Sequence, residues 1–113
     1  MRKIVLVMDN VIIAMMIRNN LVNNGYLVPF ITNTLKETLN TDYEMELIIF
    51  DMDFISMDRL DEVRVPIIFL TSQSEWEISQ EETSTLEVTY DFLCKPFTEE
   101  ELLYKTRKIL PPN

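Results

Sequence analysis

The chain has 113 residues, the length of one ordinary domain, and 47% of them are hydrophobic. It has no histidine and one glycine, Gly25, which excludes histidine bases, histidine metal ligands and glycine-rich phosphate loops. The single cysteine excludes an internal disulfide and suits a reducing cytosol, while the net charge of −9 disfavours direct binding to nucleic acid or anionic membranes.

The chain contains no segment typical of a membrane span or of a signal peptide. Its longest apolar runs, Ile4–Met8 and Val11–Ile17, are far shorter than a bilayer requires. No linker composition divides the sequence. We therefore expect a soluble, cytoplasmic domain over residues 1–110, with residues 111–113 as a tail or the start of a linker.

Short apolar runs recur along the chain, and a helix-like stretch follows each of them. A continuous rather than alternating run is typical of a strand buried on both faces of a parallel sheet. Four such runs lie at Ile4–Val7, Leu47–Phe50, Ile67–Leu70 and Phe92–Cys94. A fifth candidate, Tyr26–Ile31, contains Pro29, which cannot donate to a ladder and so predicts an edge strand.

Helix signals fill the intervals between these strands. Asn10 can cap a helix that runs to Asn24, with Gly25 just beyond its end. Capping-box spacing occurs twice, at Thr34-x-x-Glu37 and at Thr98-x-x-Glu101.

The remaining helix candidates differ in strength. Thr98–Leu110 has acids in its first turn and bases in its later turns, which matches the helix dipole, whereas Ser74–Glu87 is more polar and weaker. The interval from Ser56 to Val65 holds only about two helical turns. The alternation predicts an α/β fold, a doubly wound five-stranded parallel sheet of (βα)5 type with helices on both faces.

Polar side chains follow the predicted strands, at the edge where ligands bind in such sheets. They are Asp9, Asp51 with Asp53, Thr71 and Lys95. Each alone is most often a cap or a turn residue, but their occurrence at four strand ends predicts a shared anion or metal site. Two carboxylates suit Mg²⁺, and a carboxylate beside a cation and a lysine can attack phosphorus.

The same segments resemble the receiver domains of response regulators over nearly the whole chain. They are Lys3–Asp9, Leu47–Asp51, Val65–Thr71 and Asp91–Phe97, the last reading D-F-L-C-K-P-F. The resemblance implies the flavodoxin-like receiver fold of two-component signalling.

The resemblance also implies a role for each site residue. Asp51 corresponds to the phospho-acceptor, and Thr71 and Lys95 to the groups that bind the phosphoryl oxygens. Asp9, Asp51 and the main-chain carbonyl of Asp53 correspond to the Mg²⁺ ligands. Phe92 and Thr71 correspond to the two switch residues, which respond to the phosphoryl group. The peptide bond before Pro96 is expected to be cis.

The implied function is a Mg²⁺-dependent phosphorelay receiver that takes a phosphoryl group from a histidine kinase or phosphotransferase and then changes a protein-binding face. No enzyme activity is implied beyond self-catalysed phosphoryl transfer and autodephosphorylation. The kinase or phosphotransferase is expected on the first helix, where Val11–Ile17 is apolar on more than one side. A downstream protein or a second copy is expected on the fourth helix and the fifth-strand face.

The sequence also departs from the receiver pattern. Met8 replaces one of two adjacent acids, which predicts weaker Mg²⁺ binding, and Arg59 stands where glycine is usual. Only 20 residues separate Asp51 from Thr71, which predicts a shortened third helix. These departures leave a second hypothesis open, a pseudo-receiver that binds proteins independently of phosphorylation.

A third hypothesis comes from the D-x-D string at Asp51–Asp53. With the hydrophobic residues before it, the string resembles the first motif of haloacid dehalogenase-like phosphatases. Phe54 and Ile55 replace the glycine and threonine that usually follow, and no second acidic pair follows a later strand. The motif therefore lacks its required context, and this phosphatase hypothesis is the weakest of the three.

Overall fold

The computed structural model of the chain describes residues 1–40, 44–73 and 86–113. Its elements are β1 (Lys3–Val7), α1 (Val11–Asn23), β2 (Leu27–Thr32), α2 (Leu35–Leu39), β3 (Leu47–Asp51), a 3₁₀ turn (Leu60–Glu62), β4 (Ile67–Thr71), β5 (Tyr90–Cys94) and α3 (Glu99–Ile109). The strands form one parallel sheet in the order β2-β1-β3-β4-β5. The predicted α/β fold with a five-stranded parallel sheet is confirmed.

The position of each strand in the sheet agrees with its composition. Every residue of β3 and β4 is buried, because both strands have a neighbour on each side and are covered on both faces. The strand that contains Pro29 lies at one edge of the sheet, as predicted, and Pro29 itself is exposed.

Helical elements cover both faces of the sheet. On one face, Ile17 of α1 and Leu102 of α3 pack in a cluster with Ile4 and Leu6 of β1. The opposite face packs against α2 and the 3₁₀ turn. The principal members of this second cluster are Val5, Val7, Leu35, Phe50, Leu60 and Phe69. Successive residues of β1 therefore serve different clusters, as the pleat of a strand requires.

The helices begin and end where their capping residues predict. The Asn10 side chain accepts a hydrogen bond from the Ile13 N–H at 3.1 Å and caps α1. Gly25, two residues beyond α1, has a φ of +95°, which strongly favours glycine. Thr98 and Glu101 form both bonds of a capping box at α3. Among the described residues, no helix has both the length and the apolar character that a membrane crossing needs.

The segment between β3 and β4 is reduced further than the sequence analysis expected. Residues 52–66 are all described and contain the 3₁₀ turn in place of the expected two turns of α-helix. Arg59 adopts a left-handed conformation with a φ of +68° directly before the turn, and Pro66 restricts the backbone of the residue before it. The prediction of a shortened helix between β3 and β4 is thus confirmed. The predicted length of about two α-helical turns was wrong. The fourth predicted helix, Ser74–Glu87, lies almost entirely outside the described residues.

Candidate functional site

The carboxyl edge of the sheet brings the predicted acids to neighbouring strand ends. In the register of β1 and β3, Val7 pairs with Phe50, so that Asp9, just beyond β1, and Asp51, at the end of β3, lie at the same edge. Asp51 is the last residue of β3 and is only 5% exposed. Asp9 is exposed and forms no hydrogen bond or ion pair with another described residue.

The ammonium group of Lys95 joins two carboxylates at the end of β3, those of Asp51 and Asp53. Its Nζ lies 2.9 Å from Asp51 Oδ1 and 3.2 Å from Asp53 Oδ2. The backbone places it there, because the Lys95 N–H donates to the carbonyl of Thr71 at 2.7 Å and extends the pairing of β5 with β4. The peptide bond to Pro96 is cis, the isomer that the resemblance implies. Charge-assisted hydrogen bonds offset part of the desolvation of the Asp51 carboxylate.

The side chain of Asp53 reaches across the edge of the sheet to the end of β4. Its Oδ2 accepts a hydrogen bond from the Ser72 N–H at 2.9 Å, and its Oδ1 lies 3.4 Å from the Thr71 hydroxyl. The Asp53 N–H in turn donates to Asp51 Oδ1 at 3.1 Å, which fixes the turn after β3. The sequence placed Asp53 among the polar side chains at this edge, but the resemblance assigned a role only to its main-chain carbonyl, and these side-chain contacts were not predicted.

The oxygen ligands expected at this edge are of the type that Mg²⁺ prefers. The predicted ligands are two carboxylates, those of Asp9 and Asp51, with the carbonyl of Asp53, and Mg²⁺ commonly uses one or two carboxylates with water. Met8 is buried in the apolar core and supplies no further oxygen ligand. Within the described parts of the chain, no three His, Cys, Asp or Glu residues group together as metal ligands.

An aromatic ring lies over the lysine of the cluster. The exposed ring of Phe54 has its centroid 5.2 Å from Lys95 Nζ, in the range of a cation–π contact. Phe54 also lines an open cleft of about 640 Å³ together with Asp53, Ser72 and Lys95. Sequence reasoning noted this residue only as a departure from a phosphatase motif, and a lone aromatic residue after an acid gives no signal of its own.

Phe92, the expected switch residue, lies against the apolar core. Its ring stacks on Phe69 of β4 with 5.4 Å between centroids and 26° between planes, and it meets Tyr90 edge to face. The neighbouring Asp91 carboxylate is held by Lys105 of α3 at 3.1 Å. Phe92 is therefore partly buried on the β5 face, away from the acidic cluster.

An apolar groove lies between α1 and α3, beside the turn that follows β5. It has a volume of about 420 Å³, and its apolar lining consists of Ile13, Met16, Ile17, Pro96, Phe97 and Leu102. The outer face of α1 continues this surface, since Ile12 is 75% exposed and Met16 63%. The apolar character of Val11–Ile17 thus extends well beyond what the core buries.

The fold is similar to those of solved chemotaxis proteins and response regulators. Chemotaxis protein CheY4 of Vibrio cholerae is 25% identical with a TM-score of 0.82, over 97% of this chain and 99% of that chain. A putative response regulator from Chloroflexus aurantiacus is 24% identical with a TM-score of 0.78, over 96% and 97% of the two chains. Comparison of the sequence with family models and with curated proteins gave no match.

The chain has the flavodoxin-like fold of receiver domains. The resemblance to the receiver domains of response regulators, first indicated by the sequence motifs, is confirmed by the likeness to CheY4 over nearly the whole of both chains. The structure brings Asp51, Asp53, Thr71 and Lys95 into one hydrogen-bonded cluster. Asp9 lies at the same edge of the sheet.

Proposed function

We propose that this chain is a phosphorelay receiver that accepts a phosphoryl group on Asp51. The observation that carries the proposal is the contact between Asp51 Oδ1 and Lys95 Nζ at 2.9 Å, at the edge of a receiver fold. Lys95 and the Asp53 N–H both bind Oδ1, so Oδ2 forms no hydrogen bond within the described residues. Oδ2 is thus the oxygen available for attack on phosphorus.

The proposed transfer is an in-line displacement at phosphorus. Oδ2 of Asp51 attacks the phosphorus atom of a phosphohistidine, and the new P–O bond forms as the P–N bond breaks. The electron pair returns to the imidazole nitrogen, which takes a proton from solvent. Lys95 and the Thr71 hydroxyl bind the phosphoryl oxygens and stabilise their charge. Hydrolysis of the acyl phosphate by water releases inorganic phosphate and restores the carboxylate.

The proposed cofactor of this transfer is Mg²⁺. Asp9, Asp51 and the carbonyl of Asp53 would hold it, and when bound it would neutralise charge on the phosphoryl oxygens. Because Met8 stands where a second acid is usual, we expect a weaker affinity for Mg²⁺ than two adjacent acids would give.

The proposed partners bind at two different surfaces. A histidine kinase or phosphotransferase of the cytoplasm would dock on α1 at the apolar groove, where Met16 and Phe97 offer contact area. A downstream protein or a second copy would bind the β5 face, where Tyr90 is partly exposed beside Phe92. The fourth helix, which belongs to the same expected surface, lies outside the described residues.

Acetyl phosphate, a donor that needs no docking partner, tests the proposal directly. On prolonged incubation with millimolar Mg²⁺, the protein is expected to gain the mass of one phosphoryl group, and Asp51→Asn is expected to gain none. Asp58→Asn removes the same charge at an exposed loop position and is the matched control. Equal labelling of the two variants would contradict the proposal. The absence of labelling in all three proteins would also contradict it.

The pseudo-receiver hypothesis is the second candidate, and the buried apolar Met8 at the metal edge favours it. In that case Asp51→Asn would leave partner binding and cellular output unchanged. The phosphatase hypothesis makes a different prediction, turnover of a generic aryl phosphate, which a colorimetric assay measures.

A further inference from the structure

The Asp53 carboxylate occupies a place among three hydrogen-bond donors that converge from two strands. Lys95 Nζ and the Ser72 N–H bind its Oδ2 at 3.2 and 2.9 Å, and the Thr71 hydroxyl lies 3.4 Å from its Oδ1. Its side chain is largely buried. Two of these donors, Thr71 and Lys95, are the groups that the proposed function assigns to the phosphoryl oxygens.

The turn after β3 holds the Asp53 side chain in this position. The Asp53 N–H donates to Asp51 Oδ1, which sets the direction of the backbone at the point where the chain leaves the strand. Two carboxylates therefore share the single ammonium group of Lys95. A phosphoryl group on Asp51 would add further negative charge close to the Asp53 carboxylate. These like charges would repel each other.

We propose that Asp53 is an internal anion that competes with the phosphoryl group for Thr71, Ser72 and Lys95. The inference rests on the proposed function, which assigns the phosphoryl group to this edge. Any anion that binds here has to displace the Asp53 carboxylate from its three donors. Asp53 thus slows phosphorylation of Asp51, and it holds the Thr71 hydroxyl in contact with an anion before any phosphoryl group arrives.

The substitution Asp53→Asn tests this competition with little change of shape. It keeps the main-chain carbonyl and the size of the side chain, and it removes the charge that pairs with Lys95. Asp58→Asn is again the matched control, because Asp58 is exposed and the hydrogen bonds of Thr71, Ser72 and Lys95 described above go to Asp53 and Asp51.

The first measurement uses inorganic phosphate and does not depend on transfer to Asp51. Phosphate is titrated without a phosphodonor, and the amide resonance of Ser72 is followed by NMR. We expect Asp53→Asn to bind phosphate at least about tenfold more tightly than the unaltered chain and than Asp58→Asn, a difference of roughly 1.4 kcal/mol. Equal shifts in all three proteins, or no shift in any, would overturn the inference.

The second measurement is the rate of mass gain from acetyl phosphate with Mg²⁺. Asp53→Asn is expected to react about tenfold faster than the other two proteins. Tighter phosphate binding without labelling of any variant would leave the competition standing and would refute phosphorylation of Asp51. Equal labelling rates in all three proteins would refute the competition while phosphorylation of Asp51 stands.

Discussion

Tyr26 is a polar residue that the core accommodates far from the acidic edge. It is fully buried, and its hydroxyl donates to the carbonyl of Leu110 at 2.6 Å, which ties the start of β2 to the end of α3. Burial raises the pKa of the phenol above its ordinary value, and the cations of Arg107 and Arg2 partly oppose this. The neutral phenol is therefore favoured in the folded state.

Because of this environment, part of the free energy of unfolding is lost at alkaline pH. Because the pKa of Tyr26 is raised on folding, its contribution is complete below the unfolded value near 10 and is lost as the pH rises through the folded value. Tyr26→Phe is expected to lower the free energy of unfolding by about 1 kcal/mol at pH 7. The difference between the two proteins should shrink towards pH 11 in urea titrations.

The control for this prediction is Tyr104→Phe. Tyr104 is exposed on α3, and its substitution should leave the free energy of unfolding nearly unchanged at both pH values. A difference between Tyr26→Phe and the unaltered chain that stays constant from neutral to alkaline pH would show that the phenol does not titrate with folding.

At the scale of elements, the connection between β3 and β4 stands out because an arginine adopts a conformation that favours glycine. Arg59 has a φ of +68° and forms an exposed ion pair with Glu62 at 2.7 Å. Such an exposed ion pair stabilises little, whereas left-handed backbone costs a residue with a Cβ about 1–2 kcal/mol. The strain at Arg59 therefore exceeds what the ion pair contributes.

Substitution by glycine and by alanine separates these two effects. Both Arg59→Gly and Arg59→Ala remove the ion pair, but only glycine also removes the strain. The glycine variant is expected to have the higher free energy of unfolding, by about 1 kcal/mol, in urea titrations.

The same pair of substitutions at the exposed Asn19, inside α1, is the control. There the order should reverse, with alanine more stable than glycine by about 1 kcal/mol. If alanine is the more stable residue at both positions, the left-handed backbone at position 59 stores no strain.

At the scale of the whole molecule, the main contrast is between the acidic surface and the uncharged face of α1. The chain carries a net charge of −9, yet α1 contains no acid and one base, Arg18. Its exposed face adjoins the largely apolar groove beside α3, which Lys95 and Glu99 also line, and apolar surface of this kind commonly marks an interaction site.

A negative charge placed in this groove should slow phosphoryl transfer from protein donors. It should leave transfer from a small-molecule donor unchanged. Met16→Glu is expected to change the free energy of unfolding by about 0.5 kcal/mol or less, because Met16 is mostly exposed. Labelling by acetyl phosphate should be unchanged. Transfer from phosphotransfer domains that carry phosphohistidine, measured by loss of their label, should fall at least about tenfold, the effect of about 1.4 kcal/mol.

Tyr104→Glu serves as the matched control, since Tyr104 is similarly exposed but lies on α3 outside the groove. It should transfer at the rate of the unaltered chain. Equal slowing by both substitutions would mean that added charge, rather than the groove, governs the encounter.

Much of the fold could be predicted from the sequence because its signals are local. A continuous apolar run such as Ile67–Leu70 is stable only where both faces are covered, and Pro29 excludes the middle of a sheet. The caps at Asn10 and Thr98 concern residues three positions apart, so spacing alone locates the helix starts. The same reasoning predicted which side chains end each strand, and hence that they lie at one edge of the sheet.

Only the tertiary structure decided how those side chains combine. The Asp53 carboxylate meets Thr71 and Lys95, which are 18 and 42 residues further along the chain, because strand pairing places the ends of β4 and β5 beside the turn that follows β3. Nothing local to the D-x-D string determines the direction of that side chain. It depends on the register between strands and on which donors remain available, and both are set by the packing of the whole sheet.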